Sequence, residues 1–218
     1  TPDSDYHGSD SLTITAADNN GGSLPVDLTF TVTAFNDAPE LLLGEYALPG
    51  IAEDVIDANN PGLTISSLLS DDVGEVDGEA VGLAVTEADN THGAWQYFDG
   101  SAWQAVDEAG TPAPASALLL PPAAKLRFVP AANFHGAATL SARAWDQTTG
   151  TAYGRADVTT NGGSTAFSSA QATVVIAVSA VNDAPVFSGD NPMTVALDED
   201  SAYTSVDLLS LFSDADGD

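Results

Sequence analysis

Cysteine is absent from the 218 residues, so disulfide staples and thiolate metal sites are both excluded. Positive charge is almost absent: Lys125, Arg127, Arg143 and Arg155 stand against 32 acidic residues, a formal charge of −28. Phosphate binding needs clustered Lys and Arg, so nucleic acid is excluded as a partner, and an anionic membrane surface is disfavoured on the same ground. No apolar run approaches the roughly 20 residues of a spanning helix. The stretch Ala115 to Leu120 is cut off by Pro121-Pro122, and no membrane insertion is expected. Charge this one-sided repels itself unless cations neutralise it. Hydrophobic content is nevertheless 44%, enough to build a core rather than a disordered chain.

What the chain does have is a repeat. Asn36-Asp37-Ala38-Pro39 returns as Asn182-Asp183-Ala184-Pro185, 146 residues later. That period is too long for helical or propeller repeats of about 20–50 residues and suits one domain per repeat. Pro2, His7, Gly8 and Asp18 recur as Pro130, His135, Gly136 and Asp146 at an offset of 128, so the second copy carries 18 extra residues within Gln147 to Ala172. Downstream, Glu53-Asp54 corresponds to Glu199-Asp200. We expect a C-terminal part of one domain over 1–38, a complete domain over 39–184 and an N-terminal part of a third over 185–218. A start at Thr1 and a stop within Asp216-Gly217-Asp218 read as an excerpt of a longer protein.

Leu12, Ile14 and Ala16 alternate with threonines, as do Leu28, Phe30, Val32 and Ala34. A period of two predicts half-buried strands, and Gly21-Gly22-Ser23 predicts the turn between them. Leu140–Trp145 and Val174–Val178 occupy the corresponding places in the second copy. Short helices are expected at most over Leu63–Leu69 and Leu208–Phe212. Many short strands with Gly, Pro and Asn turns predict an all-β fold of tandem sandwich domains.

Oxygen-bearing side chains gather at corresponding points of each repeat. Calcium takes six to eight oxygen ligands from carboxylates, Asn side chains and carbonyls. For the second linker the candidates are Glu53, Asp146, Asn182, Asp183, Asp214 and Asp216. For the first they are Asp18, Asn36, Asp37, Asp71 and Asp72, and Glu199 joins the set as the counterpart of Glu53. Asn and Asp also close turns, which is the competing explanation for any one of them. His7 and His135 are assigned turn or packing roles. Zinc on a helical two-His spacing and a Gly-x-Ser-x-Gly elbow are both missing, so no enzyme is expected. Trp95, Tyr97 and Trp103 flank the turn Asp99-Gly100 and alternate as a hairpin would; packing is favoured, with a carbohydrate- or peptide-binding surface as the alternative.

Asn182-Asp183-Ala184-Pro185, Glu199-Asp200 and Phe212-Ser213-Asp214-Ala215-Asp216-Gly217-Asp218 resemble the linker and end motifs of bacterial cadherin-like domains in giant repetitive adhesins. The resemblance implies tandem cadherin- or immunoglobulin-like sandwiches, type I secretion and an extracellular or cell-surface location. It also implies a role in adhesion or biofilm attachment, with calcium held between successive repeats of the same chain and glycans or surface proteins as targets. Glu53, Asp146, Asn182-Asp183 and Asp214/Asp216 match the calcium-binding positions. The first linker departs from that pattern, because Asp71-Asp72 is followed by Val73-Gly74.

Overall fold

In the computed structural model, residues 1–188, 199–200 and 211–216 are described. The predicted strands form, and they are joined by almost no helix. The first two are long: β1 (Gly8–Ala17) and β2 (Ser23–Val32) make an isolated antiparallel hairpin. Short elements follow, β3 (Glu40–Leu41), β4 (Glu45–Ala47), β5 (Ile51–Ala52), a 3-10 turn (Asp57–Asn59), β6 (Leu63–Thr64), α1 (Ile65–Leu69) and β7 (Val73–Gly74). Longer strands then build the body: β8 (Gly82–Ala88), β9 (Gly93–Phe98), β10 (Trp103–Ala105), β11 (Ala117–Leu120), β12 (Lys125–Pro130) and β13 (Gly136–Trp145). The series ends with β14 (Arg155–Ala156), β15 (Ala172–Ser179), β16 (Val186–Phe187) and β17 (Phe212–Ser213).

One sheet runs β10-β9-β12-β6; a larger one runs β14-β11-β8-β13-β15-β4, with β5 also on β15. Trp95, Leu126 and Phe128 of the smaller sheet share a core with Leu83, Val85, Leu118, Leu120, Leu140, Val174 and Ile176 of the larger. Removing each of these side chains from water contributes about 1.5–3 kcal/mol. The helix expected over Leu63–Leu69 is α1: Thr64 caps it by accepting from the Ser67 N–H at 3.2 Å, and Ile65, Leu68 and Leu69 face the core. Of the helix expected over Leu208–Phe212, residues 208–210 lie outside the described residues, and Phe212 is in a strand.

The repeat is reproduced in the backbone. Gly8 pairs with Val32, and their counterparts Gly136 and Val178 pair in β13–β15. Burial differs, however. Leu12, Ile14, Leu28 and Phe30 are exposed, whereas their counterparts Leu140, Ala142, Val174 and Ile176 are buried. The half-burial expected for β1 and β2 is therefore not observed, because among the described residues no second sheet packs on the hairpin.

The extra residues of the second copy fold onto the outer face of the larger sheet. Val158, Ala166 and Phe167 pack with Ala84, Ala117, Leu119 and Trp145 in a second, smaller core. This is why β8 is buried on both faces at Gly82–Thr86.

Candidate metal centres at the two linkers

Each linker enters the next strand region through the same hydrogen bond. The Asp37 N–H donates to Asp77 Oδ2 at 2.7 Å, and the Asp183 N–H donates to Asp216 Oδ2 at 2.6 Å. The preceding Asn is also used alike: Asn36 Nδ2 donates to the Asp37 carbonyl at 3.3 Å and Asn182 Nδ2 to the Asp183 carbonyl at 2.8 Å. Two acidic clusters are built around these contacts.

At the first linker, carboxylate oxygens of Glu75, Asp77 and Glu79 lie within 4.8 Å of one another. Calcium–oxygen bonds of about 2.3–2.6 Å span that separation through one ion. Glu75 Oε2 and Glu79 Oε2 are buried and lack hydrogen-bond partners, an arrangement that costs free energy unless a cation, a water or a proton satisfies them. Burial raises the Glu75 pKa; the Asp77 N–H opposes this, and the carboxylates of Glu79, Asp146 and Asp77 add to it. Asp146 is 1% exposed and accepts from Asn36 Nδ2 at 2.9 Å. Its other oxygen accepts from the Thr148 N–H and hydroxyl.

The inserted segment holds this linker as well. Ala38 N–H donates to the Gly163 carbonyl at 2.7 Å, and Asn36 Nδ2 reaches the Thr165 carbonyl at 3.3 Å.

At the second linker, Glu53 is 5% exposed; its Oε1 accepts from the Val181 N–H at 2.7 Å, while Oε2 is buried without a hydrogen-bond partner. Asp183 Oδ2 is in the same condition. Its own desolvation, followed by the carboxylates of Asp54, Asp216, Glu53 and Asp214, raises the Asp183 pKa. Asp216 N–H donates to Asp214 Oδ1 at 2.8 Å, which orders the Asp-x-Asp segment.

Several sequence expectations are corrected by these positions. Asp146 belongs to the first linker and not the second: β13 and β15 are antiparallel, so the residue after β13 and the residues after β15 lie at opposite ends. Asp18 is displaced by the same logic. It follows β1, about 30 Å from the linker at 3.3 Å per residue, and accepts from the Asn20 and Gly22 N–H groups as a turn former. These backbone bonds hold its pKa below the usual carboxylate range.

Asp71 and Asp72 do not supply the missing Asp-x-Asp. They follow α1 with exposed side chains, and Asp72 contributes its backbone carbonyl to the Tyr46 hydroxyl at 2.5 Å. The Asp-x-Asp place is taken by Glu75-Val76-Asp77, where the Asp77 N–H donates to Glu75 Oε1 at 2.9 Å, and Glu79 follows it. Glu199 is exposed in a turn whose neighbours on both sides lie outside the described residues.

Neither cluster is neutralised by the chain's own guanidinium groups. Arg143 donates to the carbonyls of Ser168 and Ser169, and Arg155 to those of Ser116, Val106 and Gly110. Arg127 binds Gln96 Oε1 and the Asn60 carbonyl, pairs with Asp57 at 3.2 Å and lies 4.0 Å over the Trp103 ring. The aromatic residues are correspondingly occupied: Trp95 is fully buried, Tyr97 stacks on Tyr153, and Trp103 has one face under Arg127. Comparison of the chain with family models, curated proteins and solved structures gives no match.

Proposed function

We propose that this chain is a load-bearing spacer segment of a large secreted or cell-surface adhesin, in which successive β-sandwich units are stiffened by calcium at their linkers. Two sheets around a common core suit the sandwich type, and the repeated phrase suits serial units. The observation that carries the reading is the duplicated linker contact, Asp37 to Asp77 and Asp183 to Asp216. Each sits among buried carboxylate oxygens that have no partner.

The donor sets fit a hard divalent cation. At the first linker Asn36, Asp37, Glu75, Asp77, Glu79 and Asp146 would hold it; at the second, Glu53, Asp54, Asn182, Asp183, Asp214 and Asp216 would do so. Calcium would supply positive charge and a preference for many oxygen ligands. The protein supplies ligands from both sides of each linker, so binding opposes a change in their mutual angle. Extracellular calcium modules commonly have dissociation constants of about 10⁻⁴–10⁻³ M, so such sites fill outside cells. No helix among the described residues is long and apolar enough to cross a membrane.

The test is calcium titration of the full chain by calorimetry with small-angle scattering. Binding should narrow the distribution of interdomain distances, and Asp183→Asn should weaken it. Scattering that is the same with calcium and with chelator would defeat the proposal.

A further inference from the structure

Only three histidines occur, His7, His92 and His135, and two of them are presented by the same turn. Asp5 and Asn133 both have φ 60°, and Gly8 and Gly136 have φ 133° and 135°. Left-handed geometry at matching positions shows that the same turn carries His7 and His135 into the start of the strand. The pairing Gly8–Val32 and Gly136–Val178 places each of these starts beside the end of the strand that leads into a linker.

His135 Nδ1 lies 3.8 Å from Glu53 Oε2, the buried oxygen without a hydrogen-bond partner. The Glu53 side chain is 1% exposed and that of His135 is 59% exposed. A nitrogen donor open to solvent thus meets an oxygen that its surroundings leave unsatisfied. His7 lines a cavity of about 140 Å³ together with Asp37 and Asp77. Imidazole beside carboxylate is a poor set for calcium, which takes oxygen ligands, but it suits zinc, which takes nitrogen and oxygen at about 2.0–2.2 Å. Tetrahedral bonds of that length put donor atoms ~3.4 Å apart, so a small rotation of the exposed ring closes the gap.

We propose that the imidazole edge of each linker binds a zinc-class divalent cation, through His135 Nδ1 and Glu53 Oε2 at the second linker and through His7 with the Asp37–Asp77 pair at the first. This rests on the linker clusters being cation sites. It adds that nitrogen at their rim recruits a second, softer ion. A carboxylate oxygen has two lone pairs, so Glu53 Oε2 can bridge the imidazole-bound ion and one within the cluster. Zinc therefore adds to calcium instead of displacing it.

The experiment uses the full chain saturated with calcium and titrates zinc by calorimetry, with imidazole nitrogen chemical shifts as the second readout. Zinc should bind in calcium excess and move the signals of His7 and His135 but not those of His92. His135→Gln should remove one zinc equivalent, the double variant with His7→Gln should remove both, and His92→Gln should remove none. Undiminished zinc uptake by the double variant, or zinc uptake matched by calcium release, would overturn the proposal. Calcium titration of the same variants separates the two readings. Calcium binding without zinc binding defeats the histidine site alone, whereas histidine-dependent zinc binding without calcium binding defeats the calcium spacer and leaves the histidine site standing.

Discussion

At the scale of single residues, the carboxylates do two different jobs that sequence alone does not separate. Asp99 is a turn former: it accepts from the Ser101 and Ala102 N–H groups and the Ser101 hydroxyl, and these bonds hold its pKa down to about 2. Since the folded value lies below the unfolded one of about 3.9, its stabilisation is present above that pH and is lost as pH falls toward 2. Melts of the wild type and Asp99→Ala should differ at pH 5 and converge by about pH 2. Asp77 is the opposite case, a charge held among like charges. Asn at that position can still accept the Asp37 N–H while removing one negative charge. Asp77→Asn should therefore melt at or above the wild-type temperature in chelator, yet bind calcium about tenfold more weakly, a loss of ~1.4 kcal/mol. A lower melting temperature in chelator would show that the charge itself stabilises the apo fold.

At the scale of elements, what was legible was periodicity. Alternation gave β1 and β2, and the recurrence of Gly8 and Asp18 at an offset of 128 and of Asn36 at 146 marked Leu140–Trp145 and Val174–Val178 as their counterparts, with 18 extra residues between them. Which end of the molecule a residue occupies is not legible from periodicity, because adjacency in sequence says nothing about end until strand direction is applied. Asp146 directly follows β13 and so sits beside the linker before its own strands rather than the one after them. Glu75, Asp77 and Glu79 were hidden by a slip in the repeat: they align with Asp214, Asp216 and Asp218 at an offset of 139, seven residues short of the linker offset. The inserted segment was visible as extra length, but not as a brace. Its role depends on the small core of Val158, Ala166, Phe167 and Trp145, which positions Gly163 to accept from Ala38. Phe167→Ala should cost about 3–5 kcal/mol, and hydrogen exchange at the Ala38 amide should accelerate more than exchange in β12. Equal acceleration at both would mean global destabilisation without a brace.

At the scale of the whole molecule, charge sets the balance. With 32 acidic residues against four basic ones, and with Arg143 and Arg155 committed to backbone carbonyls, the linker carboxylates depend on solvent cations. If calcium binds at about 10⁻⁴–10⁻³ M, then 10 mM calcium is roughly 10–100 times the dissociation constant and stabilises each linked folding unit by ~1.4–2.7 kcal/mol. For a chain of this size that corresponds to a rise in melting temperature of about 3–10 °C. Sodium chloride at 150 mM separates screening from coordination, because its Debye length of about 8 Å weakens repulsion between carboxylates without joining ligands from the two sides of a linker. Salt should thus raise the melting temperature of the chelated chain while leaving its scattering broad. Calcium should raise the melting temperature and narrow the scattering together. Magnesium, which demands octahedral geometry and retains its waters, should fall between them. If sodium chloride alone reproduced the calcium scattering profile, the linkers would be held apart by repulsion and not by shared coordination.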